Sequence, residues 1–101
     1  MNSIKDNQFF QEIHRTIFNI LGSYPVEVYL FGSWAQGKVT PSSDVDIGIL
    51  SKDPLPLGLL PRLREELNES HIPYEVEIVD LNRSDPNFRM AVITEGVQWT
   101  N

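Results

Sequence analysis

A chain of 101 residues with 41% hydrophobic and 22% charged content has the length and composition of one folded domain, spanning 1–101. It contains no cysteine, which excludes disulfides and zinc–thiolate sites and fits a reducing compartment. The formal net charge is −6 and the eight Lys and Arg form no run, so direct nucleic-acid binding is not expected, because a surface that grips a phosphate backbone is basic. No apolar run reaches the length of a membrane span, and no basic-then-apolar leader opens the chain; the protein is read as cytoplasmic, without a membrane contact.

Residues 4–21 place Phe9, Phe10, Ile13, Ile17, Ile20 and Leu21 at mostly helical spacing, with Gly22 as a stop. Tyr24-Pro25 leads into 26–31, whose β-branched and aromatic content predicts a strand. A short helix is expected from Ser33 to about Gly37, followed by a polar loop, 38–43, that contains Pro41. Residues 44–50 predict a second strand and 51–54 a turn. Residues 55–70 carry Leu59, Leu60, Leu63 and Leu67 on one helical side, with Pro56 and Pro61 leaving the start open between Leu55 and Pro61. After the break at His71-Ile72-Pro73, residues 74–81 predict a third strand. Ser84-Asp85-Pro86 is a helix-start signal, with either Ser84 or Asp85 as cap, for a helix over 88–94 that Gly96 ends. Residues 97–99 are a short strand or a tail. The fold class this order predicts is α/β (α+β), a small mixed sheet flanked by helices.

The chemistry concentrates at Gly32-Ser33 and at Asp44-Val45-Asp46, with ten residues between Ser33 and Asp44. Side chains on a strand alternate faces, so Val45, Ile47 and Ile49 can enter a core while Asp44 and Asp46 point together from the other face. Two adjacent carboxylates repel each other, and a divalent cation such as Mg²⁺, which favours hard oxygen ligands, relieves that repulsion. A Gly-Ser turn that opens a helix offers unpaired backbone N–H groups to an anion. Alone, the turn reads as a capped strand-to-helix junction and the Asp pair as a solvated strand face. Together, at this spacing, they describe a phosphate cradle beside a metal-binding pair. The other polar residues read more simply. His14, His71, Lys38 and Glu75 are expected at the surface, Arg62, Arg64, Glu65 and Glu66 on a solvated helix face, and Trp34 packed beneath the loop.

On Gly32-Ser33, the spacer and Asp44-x-Asp46, the chain resembles the DNA polymerase β-like nucleotidyltransferase superfamily, and most closely its minimal nucleotidyltransferases, over about 26–80. In those families a third acid stands in a frame that Val76-Glu77-Ile78-Val79-Asp80 matches, with Glu77 in place of the usual Asp. That departure gives a longer, more flexible carboxylate. The resemblance implies that Asp44 and Asp46 hold two Mg²⁺ ions, that Glu77 completes the site or serves as base, and that Gly32 and Ser33 bind the phosphates of a nucleoside triphosphate. It implies ATP as donor, attack on the α-phosphate and release of pyrophosphate. Many minimal nucleotidyltransferases resemble antitoxins paired with a helical HEPN-type toxin, as in type VII-like toxin–antitoxin pairs, and the implied role is transfer of AMP to a tyrosine of that toxin. The chain ends about 20 residues after its third strand, so a protein partner is expected to bring the acceptor hydroxyl. Two alternatives accompany this reading: an antitoxin, weak or inactive as an enzyme, that neutralises its partner by binding, and a nucleotidyltransferase acting on a small molecule.

Overall fold

The computed structural model describes residues 7–40 and 42–101. The expected helical residues 4–6 and Pro41 of the loop lie outside them. Helix α1, Gln8–Leu21, begins at Asn7, whose side-chain oxygen accepts hydrogen bonds from the backbone N–H of Phe9 at 2.8 Å and Phe10 at 3.4 Å. Strand β1 is Val26–Phe31, helix α2 Ser33–Gln36, strand β2 Val45–Ser51, helix α3 Leu59–Asn68 and strand β3 Val76–Asp80. A 3₁₀ turn, Leu81–Arg83, precedes helix α4, Pro86–Glu95, and strand β4, Val97–Trp99.

The four strands form one mixed sheet in the order β3-β2-β1-β4. β1 runs antiparallel to β2 and to β4, and β2 runs parallel to β3. A parallel neighbour cannot be reached by a hairpin, and α3 is the crossover that joins β2 to β3. The 97–99 segment is thus a strand. The cap of α4 is Asp85, whose carboxylate accepts from Asn87 N–H at 2.9 Å and Phe88 N–H at 3.2 Å.

Several boundaries differ from the sequence expectation, among them that of α4, which starts at Pro86 rather than at 88. β2 starts at Val45, leaving Asp44 just ahead of it, and β3 starts at Val76. α3 starts at Leu59, so Pro61 falls in its first turn, where a missing N–H costs nothing because no helical carbonyl awaits it.

The sheet divides the core. On one face Val28, Leu30, Val45, Ile47, Ile49 and Ile78 pack against the apolar sides of α1 and α3. On the other, Tyr29 packs with Leu81 and with Val92 of α4. Gly48 of β2 has no room for a side chain, because Leu81 lies where a Cβ would stand. This second face carries less cover, and the candidate site opens on it. Among the described residues no helix is long and apolar enough to cross a membrane.

Candidate functional site

The site forms where β1, β2 and β3 end or begin side by side. Phe31, the last residue of β1, is the register partner of Asp46, and Asp46 is in turn the partner of Glu77 on β3. Strand partners point to the same side of the sheet, so Asp46 and Glu77 stand next to each other. Val45 N–H donates to the Glu75 carbonyl at 2.8 Å, which ties the start of β2, and with it Asp44, to the start of β3. Asp44 and Glu77 are exposed and Asp46 is half-buried between them.

Gly32 brings the turn into contact with this group. Its backbone has φ +76° and ψ −152°, a region essentially reserved for glycine. A Cβ at this position would collide with the Asp46 carboxylate. The Gly32 carbonyl accepts the Gln36 N–H at 3.1 Å and the Ser33 carbonyl accepts the Lys38 N–H at 2.9 Å, which closes the single turn of α2. The N–H groups of Ser33, Trp34 and Ala35 precede any helical acceptor. Among the described residues the Ser33 hydroxyl makes no hydrogen bond. The loop that returns to β2 is held by Thr40 N–H donating to Ser43 Oγ at 2.8 Å and Ser43 N–H donating to the Thr40 carbonyl at 3.0 Å.

The electrostatics follow from this crowding. Burial and the neighbouring Glu77 and Asp44 carboxylates push the Asp46 carboxyl from 3.8 up to about 6. Among the described residues no three carboxylates converge closely enough to hold an ion as they stand. Like-charged carboxylates repel, and a divalent cation would turn that repulsion into attraction. The donors are carboxylate oxygens, the chemistry that suits Mg²⁺.

Glu75 is exposed, as expected, and so are Lys38 and His71. Trp34 packs on Phe10 and Tyr74, with ring centroids 4.7 and 5.1 Å away. Asp80 lies on the opposite sheet face from Glu77 and caps the 3₁₀ turn by accepting from Asn82 N–H at 3.0 Å. One expectation fails. His14 is half-buried rather than surface-facing, because Phe18 and Trp99 lie against its ring and its Nε2 sits 2.7 Å from the Thr100 carbonyl. Arg62, Arg64, Glu65 and Glu66 are exposed, as expected, and the Arg64 guanidinium also donates from Nη2 and Nε to the Ile78 carbonyl at 2.9 and 3.3 Å on the edge of β3.

Arg64 and Asn68 thereby line a depression of about 550 Å³ with Asp44, Glu75 and Glu77. Sequence reasoning missed this placement, and no local signal carries it, because it depends on how α3 crosses β3.

The family model described as "Polymerase beta, Nucleotidyltransferase" matches residues 15–99. A probable protein adenylyltransferase MntA of Haemophilus influenzae is 37% identical over 65 residues, covering 64% of this chain and 57% of the relative. The protein adenylyltransferase MntA of Shewanella oneidensis is 35% identical over 71 residues, covering 70% of this chain and 50% of the relative. The chain thus spans about half the length of these curated relatives. A solved structure of a tri-AMPylated Shewanella oneidensis HEPN toxin in complex with MNT antitoxin superposes with a TM-score of 0.61 and 27% identity, covering 90% of this chain and 72% of that one.

Proposed function

The chain belongs to the polymerase beta nucleotidyltransferase family, and from that premise we propose that it is an antitoxin that transfers AMP from ATP to a hydroxyl of a protein partner. The partner in this reading is a HEPN-type helical toxin, the acceptor a tyrosine, and the setting the cytoplasm. The observation that carries it is the contact of the Gly32–Ser33 turn with Asp46, with Asp44 and Glu77 alongside. The tri-AMPylated HEPN toxin in the related complex supports both the transferred group and the kind of partner.

Asp44, Asp46 and Glu77 would hold Mg²⁺, two ions in the full site, which would neutralise phosphate charge as it develops. The residues' own tasks follow from their positions. The amides after Gly32 and the Ser33 hydroxyl orient the β- and γ-phosphates, and Gly32 lets the backbone approach them. The acceptor oxygen attacks the α-phosphorus, the bond to the bridging α–β oxygen breaks, and pyrophosphate leaves. Glu77, exposed at the mouth of the site, takes the proton from the hydroxyl. Such catalysis consists chiefly of positioning and charge neutralisation.

The test is to mix the chain with a HEPN-type partner toxin, ATP and Mg²⁺ and weigh the toxin by intact mass spectrometry. An AMP adduct that is lost with Asp44→Asn plus Asp46→Asn is the expected result. Glu77 in the usual Asp position favours a second reading, neutralisation by binding alone; that reading requires the double variant to silence the toxin with no adduct formed.

A further inference from the structure

A second cavity adjoins the phosphate turn on its α4 side. Helix α4 presents Phe88, Ala91, Val92 and Glu95, the i, i+3, i+4, i+7 positions of one helical face. Opposite them stand Phe31 and Gly32, where β1 ends, and Ala35 and Gln36 of α2. The space between has a volume of about 180 Å³. Sites that enclose a whole drug-sized ligand run to roughly 300–1,000 Å³, so this slot suits one flat ring system and not an entire nucleotide. Its walls are aromatic and aliphatic, with an amide from Gln36 and a carboxylate from Glu95. The Phe31 and Phe88 rings meet edge to face at 5.6 Å and 82°, and Phe88 remains 41% exposed.

Gly32 links this slot to the carboxylates. The residue that lines the slot is also the one against which Asp46 rests. The depression on the other side of the site, beside Asp44, Arg64 and Glu77, contains no aromatic side chain. Among the described residues, the α2–α4 slot, unlike that depression, offers aromatic rings on which a base can stack.

We propose that the slot between α2 and α4 receives the nucleobase of the triphosphate whose phosphates lie at the Gly32–Ser33 turn. The inference rests on the nucleotide-handling reading above and adds a base-recognising surface within the small domain itself. Phe88 supplies the stacking face, and Gln36 and Glu95 supply polar partners for the edge of the base, with the carboxylate favouring a base that bears an amino group.

The experiment is calorimetric titration of the full chain with Mg²⁺ plus ATP, and separately with Mg²⁺ plus inorganic tripolyphosphate, which has phosphates but no base. Wild type, Phe88→Ala and Ala91→Leu are compared, with circular dichroism as the check on folding. Both altered side chains are exposed, so either variant alone keeps the test intact. Removing a base–aromatic stack weakens binding by roughly 5- to 150-fold. Wild type should therefore bind ATP more tightly than tripolyphosphate, and both variants should lose at least about fivefold in ATP affinity with tripolyphosphate unchanged. Equal affinity of wild type for the two ligands, or undiminished ATP affinity in the variants, overturns the slot assignment while leaving the phosphate site standing. Failure of wild type to bind either ligand overturns the nucleotide reading and the slot with it. Variants that keep ATP affinity but no longer co-purify with a HEPN-type toxin overturn it too, by assigning the face to the partner.

Discussion

Asp46 joins the three strands of the site: it is partnered by Phe31 and Glu77 and rests on Gly32. Its carboxyl titrates near 6 in the folded chain against 3.8 when free. A carboxyl whose pKa rises on folding binds its proton more tightly in the native state. Its favourable contribution is complete below the unfolded value and is lost as pH rises through the folded one. Asp46→Asn should then leave stability at pH 4 nearly unchanged and raise it at pH 8. The full move would correspond to roughly 3 kcal/mol, and solvent screening at this half-exposed position brings the expected gain to about 1 kcal/mol. Urea denaturation at the two pH values checks this, and a variant less stable than wild type at pH 8 would contradict the crowding argument. Glu77 and Glu75 are both exposed, but only Glu77 is the register partner of Asp46. Glu77→Gln should lower the rate of AMP incorporation by about 10²-fold or more, the scale of a lost general base, while Glu75→Gln changes it little. Initial rates with a HEPN-type acceptor would tell, and equal losses would move the third acid to Glu75.

The elements hold the site through a few side chains that act as extra backbone. Asn82, in the 3₁₀ turn after β3, donates from Nδ2 to the Ser51 carbonyl and accepts from Ser51 N–H, both at 2.7 Å. Ser51 is paired with Val26 on β1, and the Asn82 amide supplies its partner on the other side, beyond the end of the β2–β3 pairing. Arg89 of α4 fastens the same turn by donating to the carbonyls of Leu81 at 2.7 Å and of Asn82 and Ser84 at 3.2 Å. Asn82→Ala leaves both Ser51 groups without these bonds and should cost about 1–3 kcal/mol. A thermal melt with an unchanged midpoint would show that water replaces the amide. At this scale much was legible in advance. β-branched and aromatic runs marked β1, β2 and β3, and Ser84-Asp85-Pro86 marked the approach to α4 while leaving its cap open between Ser84 and Asp85, because capping and alternation are local properties of the chain. The start of α3 was not, since two prolines each satisfy the local rule and the helix begins at neither, but at Leu59, where Leu59 and Leu60 join the core.

The whole molecule depends on the covered sheet face. Ile47, fully buried at the centre of β2, carries the core on one side of a strand whose next residue back is Asp46. Ile47→Ala should cost about 2–5 kcal/mol, a large part of the roughly 5–15 kcal/mol that stabilises a domain. Chemical denaturation measures the loss, and a cost under about 1 kcal/mol would mean that the core closes over the gap. The amino-acid sequence by itself determined which β2 side chains enter that core and which leave it, since period-two alternation is a property of any strand: Val45, Ile47 and Ile49 are buried, and Asp46 faces outward. The Gly-Ser turn and Asp-x-Asp spacing also marked the family, because close backbone approach and paired carboxylates require those residue types. The frame Val76–Asp80 had already put Glu77 with the Asp pair, and the register Asp46↔Glu77 agrees; only the tertiary structure decided that Arg64 reaches the Ile78 carbonyl on β3 and that α4 leaves an aromatic slot against α2. Those facts rest on the parallel register across the α3 crossover and on how helices seat against the sheet. Contacts between distant segments set both, and no local period encodes them.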